Sequence, residues 1–101
     1  MASRLELQSI LEELLNSRNV YYQPPGSVKM QYPAIRYSIN KIDKRIANDS
    51  TYSILRSYEL IVIDTKPDNP VIDKLLALPY CAHNTAYKAD NLYHDVLTLY
   101  Y

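Results

Sequence analysis

The sequence contains one glycine, one cysteine, no phenylalanine and no tryptophan, and its 11 basic and 11 acidic residues leave no net charge. Each shortage excludes something. A chain with a single glycine cannot build a glycine-rich phosphate cradle or a G-x-S-x-G nucleophile elbow. A single cysteine, Cys81, excludes an internal disulfide and a cysteine-based zinc site within one chain. Without a basic surplus, the phosphate neutralisation that sequence-specific nucleic-acid binders rely on is missing. Neutrality also removes self-repulsion, so association with like copies is unopposed. No apolar run approaches the roughly 20 residues that span a bilayer, and the start of the chain lacks a basic-then-apolar signal pattern. The expectation is a chain that is cytosolic as made, with no membrane partner.

What is present is tyrosine, eleven of them. A tyrosine ring is apolar and its hydroxyl wants a partner, which suits half-buried sheet faces and protein interfaces better than a dry core. Four of them, Tyr21, Tyr22, Tyr32 and Tyr37, surround "QPPGSVKMQ" (23–31), which holds Pro24, Pro25 and the sole glycine, Gly26. The prolines exclude regular ladder pairing there, and Gly26 permits a turn that other residues resist. The plain reading is a stiff crossover. Lys29 and Met30, carried between a preset turn and a following strand, exceed that reading.

Around this segment the periodicities define elements. Ser3 and Glu6 form a capping-box pattern, and Leu7, Ile10, Leu11 and Leu14, widened by Leu15, make a helical stripe, so a helix is expected over about 4–16. "NVYYQ" (19–23) fits a short strand or an extended arm. Residues 33–40 alternate with period two and aim Ile35, Tyr37 and Ile39 at the core. "KIDKRIANDS" (41–50) carries Lys41, Asp43, Lys44, Arg45 and Asp49 and reads as a charged loop projecting from the sheet. Residues 51–64 form a long strand whose "LIVI" half is apolar on both faces and should be central. Asn69 is a cap candidate with Pro70 at the first helical position, Val71, Ile72, Leu75 and Leu76 give an apolar face, and Pro79 ends this second helix near residue 78. Residues 80–89 and 92–101 are strand-like around the turn signal Asp90-Asn91. The fold expected is a single α+β domain over 1–101, in the order α-β-β-α-β-β. Its mainly antiparallel sheet has about four strands, with both helices on one face.

Catalytic constellations are weak. Cys81 and His83 share a strand face and His94 could lie opposite, but three candidates in no metal-family spacing give no metal site and imply no cofactor. Asp64-Thr65-Lys66 matches the D-x-K end of a metal-dependent nuclease motif, in which carboxylates hold a divalent ion and the lysine steadies developing charge. A second acidic ligand on a neighbouring strand is missing, and a polar strand end leading into a helix cap explains the same residues. The reading is therefore not an enzyme, with a small metal-dependent nuclease as the alternative of another class.

Three stretches, "NVYYQPPGSVKMQYPAIRYSI" (19–39), "YELIVIDTKPDNPVIDKLLALPYC" (58–81) and "YKADNLYHDVLTLYY" (87–101), resemble a family of small tailed-phage proteins. These are the tail-completion, head–tail joining and minor tail proteins, similar in size and order to siphophage tail terminators. The resemblance spans about residues 4–101 and contains no catalytic motif. It implies a small α/β domain that assembles as a homo-oligomer, a hexameric ring ending the tail tube and offering a face to the head connector or stopper protein. DNA could pass through such a ring without being read. The location implied is the virion neck, with the host cytoplasm during assembly. A head–tail connector or another minor tail protein fits the resemblance equally. On this reading Tyr21, Tyr22, Pro24, Pro25, Lys29, Met30 and Tyr32 form a subunit interface, and the 41–50 loop faces the lumen or a neighbouring ring.

Overall fold

The computed structural model describes residues 4–24, 26, 29–46 and 52–101. Two helices, α1 (Arg4–Leu15) and α2 (Val71–Leu76), pack on a five-stranded sheet. The strands are β1 (Val20–Tyr22), β2 (Ala34–Ile46), β3 (Tyr52–Asp64), β4 (Cys81–Ala89) and β5 (Leu92–Tyr100), in the spatial order β1-β2-β3-β5-β4. The β2–β3, β3–β5 and β4–β5 pairings are antiparallel, as the sequence implies. The difference is β1, a short fifth strand that pairs parallel with β2, Val20 beside Ile35 and Tyr22 beside Tyr37. Parallel neighbours need a crossover of about a dozen residues. That is the topological task of 23–33.

Leu7, Leu11 and Leu15 of α1 and Val71 and Leu75 of α2 are buried against one sheet face, carried by Ile35 and Tyr37 (β2), Tyr58, Leu60 and Val62 (β3) and Leu97 and Leu99 (β5). Both helices therefore share a face. Ile39 packs at the margin of this core, while Leu76, assigned by periodicity to the α2 apolar face, is 40 % exposed. A polar network pins α1 down. The Tyr37 hydroxyl donates to Gln8 Oε1 at 2.5 Å and accepts from Arg4 Nη1 at 3.3 Å, and Gln8 Nε2 donates to the Val20 carbonyl at 2.9 Å. Burial pushes the Tyr37 phenol above its ordinary value, against the opposing pull of Arg4. The Arg4 guanidinium also lies 4.3 Å from the Tyr22 ring centre, a cation–π contact.

With one glycine to spend, the turns use other residues. Asn16, at φ 58°, closes α1 as Ser17 N–H donates to Glu12 O and Asn16 N–H to Glu13 O, a Schellman pattern. Asp90 and Asn91 both have positive φ and join β4 to β5 in a two-residue turn between the paired Ala89 and Leu92. The Ser3 half of the capping box lies outside the described residues.

One expectation is corrected. Residues 41–46, read as loop because of their charges, continue β2 and pair with the polar first half of β3, after a register shift at Asn40. β5 pairs with β3 only as far as Ser57, with one further bond from Tyr101 N–H to Arg56 O, and β1 reaches β2 only at 35–37. Residues 41–46 and 52–56 are thus a two-stranded arm whose cross-strand pairs mix charged and apolar side chains, Ile42 beside Arg56, Asp43 beside Leu55 and Lys44 beside Ile54, so its charges hide the strand period. The molecule measures 53 × 26 × 23 Å.

Candidate interaction surfaces

Asp64 sits at the end of β3, where a nuclease would need a metal-binding carboxylate. Its Oδ1 accepts from the Lys66 backbone N–H (3.3 Å) and from Thr65 Oγ1 (3.5 Å), and its Oδ2 accepts from Asn69 Nδ2 at 2.6 Å. Asn69 Oδ1 in turn accepts from Val71 N–H at 2.9 Å. Pro70 has helical dihedrals (φ −63°, ψ −16°), so Asn69 is the cap and Asp64 is the buttress that orients it. The D-x-K residues organise a turn and a helix start.

The cysteine and the two histidines are not brought together. Cys81 and His83 pair with Leu99 and Leu97 on the helix-covered face, whereas His94 pairs with Tyr87 on the opposite face. His83 Nε2–H donates to Asp95 Oδ1 at 3.0 Å. His94 Nδ1 lies 3.0 Å from the Leu92 carbonyl, which can only accept, so that nitrogen carries the proton, and its ring stacks on Tyr87 at 4.6 Å. Burial pushes the Cys81 thiol up, the opposite of an activated nucleophile. Among the described residues no group of three or more His, Cys, Asp or Glu could hold a metal ion.

The residues expected at an interface separate into two sets. Tyr22 turns inward, its ring 4.9 Å from Tyr37, and belongs to the packing of the core. Tyr21 pairs with Arg36 on the other face, and its hydroxyl accepts from Gln31 N–H, tying the crossover's return limb to the sheet. At the crossover's start, Gln23 Oε1 accepts from Ile39 N–H. Lys29 is exposed, Tyr32 is 37 % exposed, and Pro24 and Met30 are half-buried. Pro25 lies outside the described residues. Gly26 has no positive φ, and a Cβ added to it would meet nothing within 4 Å. Neither backbone conformation nor packing inside the molecule requires glycine there. That corrects the expectation that Gly26 serves a turn other residues resist.

Lys41, Asp43, Lys44 and Arg45 lie on the arm, Lys41 Nζ 3.5 Å from Asp43 Oδ1 across solvent-exposed side chains, and Asp49 lies outside the described residues. Two other surfaces face outward. The outer edge of β4 is a sheet edge, with residues 82–88 all exposed. Its ladder is interrupted by a register shift between His83 and Thr85, where Asn84 Nδ2 donates to Thr98 Oγ1 at 2.6 Å. Such an irregularity blunts an edge against indiscriminate pairing.

The second surface was not anticipated by sequence reasoning. A groove of about 690 Å³ opens where the arm leaves the sheet, between α1, the α2–β4 connection and the end of β5. Its apolar lining includes Leu7, Ile10, Leu55 and Leu99, and Pro79, Tyr80, Tyr100 and Tyr101 stand around it with the Asp43 carboxylate. Tyr80 is 80 % exposed at φ 63°, a left-handed conformation uncommon for a bulky residue. Burial and the charge of Glu6 both push the Tyr101 phenol up. The sequence signal was the pairing of "LPY" (78–80) with the terminal "LYY" (99–101), which is visible only once β4 and β5 are known to be neighbours.

The fold is thus a two-layer α+β domain with a mixed sheet and two helices on one face. No protein-family model matches the chain, and a search of curated proteins finds no match.

Proposed function

We propose that this chain is a structural assembly protein of a tailed phage, one that forms a ring, ends the tail tube and joins tail to head. The arm is the observation that carries the reading. A small domain gains little stability from a two-stranded ribbon that, among the described residues, has no third strand beyond Arg56 and leaves Ile42 exposed, so an element of that kind suits contact with something outside the subunit. The resemblance of residues 4–101 to tail-completion and terminator proteins supplies the class of that contact. The β4 edge and the crossover, exposed at Gln23, Gly26, Lys29, Gln31 and Tyr32, are further surfaces for copies of the chain. On this reading the partners are like subunits in a hexameric ring, the tail tube protein and the head connector, and DNA passes through unread. A head–tail connector or another minor tail protein is the nearest alternative role. A small metal-dependent nuclease is the alternative of another class; against it counts that Asp64 already orients the turn that caps α2.

The test is morphological. A phage whose copy of this chain is cut by a stop codon should yield filled heads and tails that stay apart, or tails of uncontrolled length, under negative-stain electron microscopy. A normal yield of joined particles from that mutant would remove the reading.

A further inference from the structure

Two features are left over once folding is accounted for. One is the sole glycine, placed where no dihedral and no neighbour calls for it. Open space around an absent side chain means that its smallness serves no packing among the described residues. It becomes useful if another surface closes over that backbone. The other is the groove, apolar inside and rimmed by Tyr80, Tyr100 and Tyr101. Flat amphipathic rings lining an apolar channel fit the chemistry of an extended proline-containing segment. Proline rings lie against aromatic faces, and a segment whose φ is already fixed loses little entropy on docking.

We propose that the groove of one copy receives the proline-containing crossover segment around Pro24 and Gly26 of a second copy. This deepens the ring reading and rests on it for its biological setting, but the contact itself stands on the two surfaces. Charge agrees with the pairing. Lys29 lies further along the same segment and is exposed, and Asp43 stands at the groove beside a solvent-exposed Lys41, an ion pair of the weak surface kind. Glycine lets the segment lie close against the rings, where a side chain would hold it off. The crossover and the groove are different patches of the same chain, so the contact is head-to-tail. Repeated, such a contact closes into a ring or runs on as a filament.

The probe is a synthetic peptide of residues 21–32, YYQPPGSVKMQY, titrated into the isotope-labelled full-length chain and followed by NMR. Saturable shifts centred on Tyr80, Tyr100, Tyr101 and Leu55 are expected. Affinity should fall about tenfold with Tyr80→Asn, which keeps a residue tolerant of positive φ, and by a similar factor when the peptide carries Gly26→Leu. In the full chain Gly26→Leu should leave the melting temperature unchanged while weakening self-association. Lys29→Asp should weaken self-association too, and adding Asp43→Lys should restore part of it. Shifts that miss the groove, or self-association indifferent to Gly26→Leu, would overturn the proposal and leave the assembly reading standing on its other surfaces. Peptide binding at the groove in a chain whose loss does not affect phage joining would uphold the contact and defeat the assembly reading instead.

Discussion

At the scale of single residues, the tyrosines divide by what their hydroxyls find. Tyr37 is buried and satisfied by Gln8 and Arg4, so it works as a core residue with a polar pin. Replacing it with Phe should cost about 1 kcal/mol by leaving Gln8 without its donor. The pH dependence follows from the raised phenol. In the folded chain Tyr37 holds its proton above the ordinary value of 10.0, whereas the unfolded chain releases it near there. The unfolded state therefore binds fewer protons, and stability present below about pH 10 is lost as pH rises through the folded value. Denaturant melts at pH 8 and 10.5 should show a steeper alkaline loss for the native chain than for Tyr37→Phe; equal slopes would contradict the buried network. Asp64 makes the opposite lesson. Its D-x-K spacing was legible, but its role depends on Asn69 folding back to it, which no spacing encodes. Asp64→Asn and Asn69→Ala should each destabilise by about 1 kcal/mol. The native chain should not cleave DNA in the presence of magnesium, and magnesium-dependent cleavage abolished by Asp64→Asn with the fold intact would reverse the assignment.

At the scale of elements, what was legible follows burial. The α1 stripe, the alternation of Ile35, Tyr37 and Ile39, the Asp90-Asn91 turn and the Asn69-Pro70 start of α2 were readable because each buries one face or fixes one dihedral. The arm was not, because its strands set charged residues beside apolar ones, as Lys44 beside Ile54, and those charges imitate a loop. β1 as a parallel strand was hidden as well, since three residues carry no periodicity and the pairing depends on a crossover returning to the same edge. The packing argument gives a direct check. Leu11 and Leu75 are fully buried, so either truncation to Ala should cost about 2–5 kcal/mol, and a loss near zero in chemical denaturation would place that side chain outside the core. The arm should behave differently. Joining Lys44 to Ile54 through an Asn-Gly turn shortens it above Asp43 and Leu55 and keeps the groove. The shortened chain should melt within a few degrees of the native one yet fail to support head–tail joining. Joined particles at normal yield would free the arm from that role.

At the scale of the whole molecule, the chain combines a well-covered helix face with several surfaces that fold alone does not require. These are the exposed β4 edge, the arm, the groove and an exposed Gly26. Zero net charge removes the repulsion that would keep copies apart. A standard interface buries about 800 Å² per partner, an area within reach of a crossover and a strand edge together. The account rests on these surfaces meeting copies of themselves, and native mass spectrometry of the purified chain over a concentration series tests it most directly. It should show one closed species near six times 11.7 kDa, growing at the expense of monomer as concentration rises and unaffected by magnesium. A monomer that persists to millimolar concentration, or an open ladder of ever longer species with no closed state, would contradict the ring.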